Sequence, residues 1–349
     1  MIRRILRKIV YWTIYGDRGG RRLGLVDTNL RPNLDPYWLA IRDLDNLRLT
    51  VKHFGYELAR NLSAALPPPT GLEARRVGLS SKPSTQADLE SDWARYWIAE
   101  LKVAHIFHRK LWEFAYALQA IFEHGHMRAG ARGLGFGCGE EPLPSYLANL
   151  GIQVTMTDLA PDAAAAKGWI DTAQHASTID IGFRPELVSR EVFDRNVRLR
   201  YVDMNAIPPD LCDYDFCWSI CALEHVGSIR QGLDFIENSL QTLRPGGMAV
   251  HTTEFNFLND KQTVDNWVTV LFQKEHFRSI ADRLERQGYE VASLDFNVGN
   301  KPLDRFIDVP PYQWELSPEQ CAWGSQPGHI KLSVDGFACT CFGLIIRKP

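Results

Sequence analysis

Two kinds of hydrophobic spacing divide the chain. Up to about residue 125, apolar positions recur at helical intervals; from 126 onward they fall into short runs separated by helical stretches. In residues 1–22, Ile2, Ile5, Leu6, Ile9 and Val10 share one helical face, with Arg3, Arg4, Arg7 and Lys8 on the other. This predicts a basic amphipathic helix. LPPPTG at 66–71 reads as a stiff, helix-breaking linker. Residues 92–125 contain no Pro and no Gly before Gly125, and Trp93, Trp97, Leu101, Ala104, Phe107, Leu111, Phe114 and Leu118 follow helical spacing. One or two amphipathic helices ending at Gly125 are expected there, their aromatic side chains facing the core.

The second pattern predicts strands near 132–136, 153–157, 198–202, 215–219, 247–252, 289–296 and 337–346, alternating with helices. That order is the signature of an α/β fold with a mostly parallel sheet. The expected organisation is a helical region over 1–125 followed by an α/β domain over 126–349, with insertions at about 161–197 and 299–330. The insertions carry Trp169, His175, Phe183 and Phe193, and Tyr312, Trp314 and Trp323. Loops of this length commonly shape a binding site.

Composition narrows the class. With 45% hydrophobic and 23% charged residues the 349-residue chain is globular in type, and a net charge of −3 gives no general attraction to nucleic acid. Seven cysteines without a C-x-x-C pair argue against a disulfide framework and a zinc ribbon, so reduced thiols and a cytoplasmic setting are expected, with no metal. No apolar run reaches the roughly 20 residues that span a bilayer, and the N-terminus lacks a signal-peptide pattern. The helix over 1–22 fits an anionic surface at the inner membrane face, or packing on its own domain or on a second subunit of a homo-oligomer.

Candidate chemistry concentrates where a strand runs into a glycine turn and then a helix. Gly135, Gly137 and Gly139 form G-x-G-x-G, where a backbone that turns tightly and approaches a ligand needs residues without Cβ. Asp158 ends the next expected strand and Asp203 the third, so both acids stand where a nucleoside's hydroxyl and amino groups could be held. A dinucleotide fingerprint is excluded, because the third glycine of G-x-G-x-x-G would fall on Cys138 or Glu140.

The ordered set GFGCG, TDLA, VDMN, DFCWSICALEHV and LRPGG resembles the class I S-adenosylmethionine-dependent methyltransferases, over about 126–349. The resemblance implies a Rossmann-like sheet of seven strands whose last strand is antiparallel. It implies S-adenosylmethionine as cofactor, with Gly135, Gly137 and Gly139 at its methionine part, Asp158 at the ribose and Asp203 with Met204 at the adenine. Ser219 and Ala222 would line the sulfonium side. The family's usual acid is replaced here by Gly135, and its third glycine by Glu141; Glu140 or Glu141 could supply the carboxylate to the cofactor's ammonium group.

Methyl transfer to a hydroxyl or amine needs a base near the carboxyl ends of the strands. His225 follows the fourth expected strand, His251 and Glu254 end the fifth, and His329 lies between the sixth and seventh. Alternation along the strand puts His251 and Glu254 on opposite faces, which disfavours a shared metal site. RYWIAELKVAHIFHRKLWEF, DFCWSICALEHVGS, AVHTTEFN and TCFGLIIRK are similar to bacterial methyltransferases of surface-polysaccharide gene clusters. That similarity implies O-methylation of a sugar hydroxyl on a glycan. A soluble metabolite as acceptor, and a non-catalytic binding module of the same fold, are the alternatives.

Overall fold

The computed structural model describes residues 29, 31, 41–162, 175–265, 268–312 and 328–349. The expected basic helix at 1–22, and Trp169, Trp314 and Trp323 of the two insertions, lie outside them. Residues 55–309 with 326–349 form one compact unit, and residues 1–54 with 310–325 form another. The account below concerns the larger unit.

Ten strands are described: β1 (Lys82–Pro83), β2 (Arg132–Phe136), β3 (Gln153–Asp158), β4 (Val197–Tyr201), β5 (Tyr214–Ile220), β6 (Leu243–Asn256), β7 (Glu290–Val291), β8 (Ile307–Asp308), β9 (Lys331–Val334) and β10 (Phe337–Arg347). They join in one sheet with the path β4-β3-β2-β5-β6-β10-β9-β8, while β1 and β7 each pair with β10. The expected count of seven is therefore corrected to ten. The additional strands β1, β8 and β9 are only two to four residues long, too short for a period-two pattern to register. The stretch 289–296 contributes β7 and an isolated bridge between Leu294 and Ser81.

Pairings among β2, β3, β4, β5 and β6 are parallel, and β10 runs antiparallel to β6. Strand β5 is buried at every position, as its unbroken apolar run YDFCWSI requires of a central strand covered on both faces. One face of the sheet packs Phe216, Trp218, Met156 and Val250 against helices carrying Trp97, Trp112, Leu147 and Phe193. The other packs Leu134, Cys217, Ala249 and Leu344 against Phe235, Ile236, Phe277 and Leu284.

The helical stretch 92–125 divides into Asp92–Glu100 and Arg109–Glu123. The chain breaks at Lys102, whose φ of 54° no helix accommodates. Ser91 and His108 cap the two starts, accepting from the amides of Ala94 and Lys110. The second helix lies on β10 with no space to spare. A Cβ at Gly343 would stand 2.2 Å from the Tyr116 ring. That ring stacks on Trp112 and donates its hydroxyl to the Ser80 carbonyl at 2.8 Å. Gly343→Ala is thus expected to cost about 1–3 kcal/mol by overpacking, read as a fall in the thermal unfolding midpoint.

Candidate functional site

From β2 the chain moves outward in one direction through β3 and β4, and from β5 in the other through β6. The switch point between β2 and β5 leaves the loops after these two strands diverging, which opens a crevice at their carboxyl ends. A cleft lies there, lined by Gly137, Asp158, Asp203, Met204, Ala222 and His225, together with Leu159, His175, Val202, Asn205, Cys221 and Val226.

The turn after β2 follows from its glycines. Gly137 has φ 60° and Gly139 φ 48°, conformations strained for any other residue. A Cβ at Gly137 would also stand 2.7 Å from that of Ala222, so the two loops touch at this point. Gly135 is needed for a different reason: its Cβ would meet Cys138 Sγ at 2.3 Å and the Trp218 ring at 2.5 Å.

Asp158 ends β3 and organises the neighbouring backbone. Its Oδ2 accepts from the amides of Gly139 at 3.2 Å and Ala176 at 2.9 Å, and its Oδ1 accepts from Leu159 at 2.8 Å. An ionised carboxylate has about four lone-pair positions, so capacity for a further donor remains. Asp203 is exposed, and its Oδ1 accepts from the Asn205 amide at 2.9 Å. His175 closes the rim: its Nε2 lies 2.8 Å from the Leu159 carbonyl, and its buried Nδ1 has no hydrogen-bond partner among the described residues.

The four histidine and glutamate candidates for a base separate clearly. Only His225 lines the cleft. Its Nδ1 is 2.7 Å from the Val268 carbonyl, which assigns the proton to Nδ1 and the lone pair to Nε2. Burial pulls its pKa below the ordinary histidine value, against the opposing effect of that carbonyl. His251 lies on the other face, with Nδ1 2.8 Å from Ser219 Oγ and Nε2 3.0 Å from Ser239 Oγ, and burial pushes its pKa down to about 3. Glu254 is ion-paired with Arg109 and accepts from Cys339 Sγ at 3.3 Å. His329 Nδ1 is 2.7 Å from Asp308 Oδ2, which also accepts from the Tyr56 hydroxyl at 2.8 Å.

The structure therefore brings Gly137, Asp158, Asp203, Met204, Ala222 and His225 together, and leaves His251, Glu254 and His329 outside the lining. Ser219 is turned away too, because period-two alternation along β5 sends Cys217 and Ser219 to the face opposite Phe216 and Trp218. Gly135 lies beneath Trp218, Gly139 is tied to Asp158, and Glu140 is exposed with its carbonyl bonded by Arg184.

Behind Gly137 and Cys221 stands a buried charged cluster that sequence patterning did not single out. Arg109, Lys110 and Glu113 enter it from one helix and Cys221 and Glu224 from the loop after β5. Glu254 and Cys341 come from β6 and β10. Burial, with Glu254 close by, pushes the Glu224 carboxyl up to about 8. The Cys221 and Cys341 sulfurs are 3.5 Å apart. The signal for this cluster was the charged pair and Glu113 in HRKLWEF, which helical periodicity alone reads as solvent-facing. Among the described residues no helix is long and apolar enough to cross a membrane.

No curated protein matches the chain. Among solved structures, a putative sarcosine dimethylglycine methyltransferase from Galdieria sulphuraria is 15% identical, with a TM-score of 0.40, over 74% of this chain and 98% of that one. An S-adenosylmethionine-dependent methyltransferase from Mesorhizobium loti is 15% identical, with a TM-score of 0.35, over 65% and 95%. A DhpI–SAM–HEP complex is 19% identical, with a TM-score of 0.34, over 51% and 79%. The family described as "Methyltransferase domain" matches residues 108–294, more than half of the 349-residue chain. On that match the chain belongs to the methyltransferase-domain family, and it is an enzyme.

Proposed function

We propose that the protein transfers the methyl group of S-adenosylmethionine to a hydroxyl of a sugar on a glycan. The observation that carries the catalytic part is the cleft at the switch point, where Asp158, Asp203 and His225 converge beside the Gly137–Ala222 contact. Asp158 has acceptor capacity for a ribose hydroxyl, and Asp203 with Met204 borders the position of the adenine. Gly137 and Ala222 form the wall along which the sulfonium would lie. The sugar acceptor rests on the similarity of the segments around 95–114, 215–228, 249–256 and 340–348 to glycan-modifying enzymes.

The cofactor supplies an electrophilic methyl carbon on a positively charged sulfur. As the acceptor oxygen bonds to that carbon, the carbon–sulfur bond breaks and its electron pair stays on sulfur. The hydroxyl proton goes to His225 Nε2. The protein's part is to hold the acceptor in line and to take that proton, effects that together account for many orders of magnitude in rate.

The test is incorporation of label from methyl-labelled S-adenosylmethionine into fractions of a bacterial lysate. Alkali-stable label in lipid-linked or polymeric sugar supports the proposal. Label confined to small molecules moves the acceptor to a soluble metabolite. Tight cofactor binding with no transfer to any fraction would favour a binding module of the same fold.

A further inference from the structure

Two polar atoms of the buried cluster, and one on the neighbouring turn, have hydrogen-bonding capacity that the described residues do not use. Arg109 Nε, Glu113 Oε1 and Glu141 Oε1 are all buried without a hydrogen-bond partner among the described residues. Groups of this kind cost free energy wherever they are left unmatched. Their positions are related. Glu141 begins on the cofactor turn, its amide bonded to the Cys138 carbonyl at 3.1 Å. Its Oε2 accepts from Trp218 Nε1 at 2.8 Å, and Trp218 is the ring that covers Gly135. Glu113 Oε1 lies 3.4 Å from Lys110 Nζ. Arg109 Nη1 lies 3.8 Å from the thiol of Cys221, which lines the cleft. Anionic and cationic groups thus stand side by side behind Cys221, which lines the cleft, and Arg109 is already committed to Glu254.

We propose that Lys110, Glu113 and Glu141 form a receptor for the zwitterionic amino-acid end of S-adenosylmethionine, Lys110 facing its carboxylate and Glu141 its ammonium group. The inference rests on the cofactor site described above and extends it to a helix outside the glycine turn. Gly135 leaves no acid at the strand end, and the Trp218 ring fills the space an acid there would take. The carboxylate is supplied from the far side of the turn.

The charges around Glu141 support this arrangement. Lys110 and Glu113 face it from the helix, Cys138 and Asp158 from the turn and β3, and Trp218 from β5. Burial pushes its carboxyl up to about 8, although the Trp218 hydrogen bond opposes the shift. Burial would raise Glu113 as well, but Lys110 and Arg109 bring it below the ordinary carboxylate range. Near pH 7 the empty site therefore holds one neutral and one ionised carboxyl, and an arriving ammonium group would draw the proton off Glu141.

The test compares two ligands by calorimetry on the full chain: S-adenosylhomocysteine, and 5′-methylthioadenosine, which keeps the nucleoside but lacks the amino-acid end. The wild type should prefer the first. Lys110→Met and Glu141→Gln should each shrink that preference by about tenfold or more, since a bond to a charged group is lost, and leave methylthioadenosine affinity unchanged. The wild type should also release a proton on binding S-adenosylhomocysteine at pH 7, seen as a heat that varies with the buffer's ionisation enthalpy, and Glu141→Gln should abolish this. An unchanged preference in both variants, or an equal loss for both ligands, would overturn the proposal. If the wild type binds both ligands equally well, this inference alone fails; if it binds neither, the cofactor site itself is wrong.

Discussion

Asp158→Ala is expected to lower the affinity for S-adenosylmethionine by about 100-fold or more. The hydrogen bond from a ribose hydroxyl to this carboxylate is worth about 1.5–3 kcal/mol, roughly a ten- to hundredfold change in affinity. A second effect acts in the same direction. The carboxylate holds the amides of Gly139, Leu159 and Ala176, so its removal releases the turn and the rim of the cleft together. Asp158→Asn separates the two contributions, because it keeps one carbonyl oxygen and the shape of the side chain while removing the charge. Its loss should be intermediate. Calorimetric titration with the cofactor, alongside circular dichroism to confirm folding, is the measurement; wild-type affinity in the alanine variant would remove Asp158 from the site.

His225→Ala should reduce kcat by about 10²–10⁴-fold, the usual contribution of a positioned general base, while cofactor affinity changes little. The wild-type pH profile follows from the lowered pKa of this histidine. The base acts in its neutral form, so the rate should be flat above the ordinary histidine range and fall only as acid protonates Nε2, at a pH below about 6.5. The variant should lose that acid limb. A variant that keeps the wild-type kcat would move the proton acceptor elsewhere. His329 would be the next to test, since Asp308 orients it.

Much of this site was legible from residue types with strong conformational demands. The strand–glycine turn–helix order located β2 and its turn because only glycine tolerates φ near +60° there, and the acids at Asp158 and Asp203 mark strand ends by position. The placement of Ser219 was less accessible. It depended on the phase of a fully buried strand, and an unbroken apolar run such as YDFCWSI carries no alternation from which phase can be read. His175 and Cys221 reach the cleft through loop paths that no periodicity encodes. The cluster of Arg109, Lys110 and Glu113 was hidden by the ordinary rule that charges on a helix face water. That rule gives way where several charges of both signs are buried as a group.

The sheet also dictates an order of assembly. Strand β10 is the meeting place of β1, β6, β7 and β9, and it follows all four in the chain. Until residues 337–347 have emerged from the ribosome, β6 has one unsatisfied edge and β1 and β7 have no strand to pair with. The growing polypeptide must keep a long strand that is buried in the finished fold, GMAVHTTEFN, shielded through the synthesis of some 90 further residues. Pairings so distant in sequence form slowly and leave strand edges open to other chains in the interval. Newly made enzyme should therefore depend on chaperones more than its finished stability would suggest, and recombinant yield should improve at low temperature and slow expression.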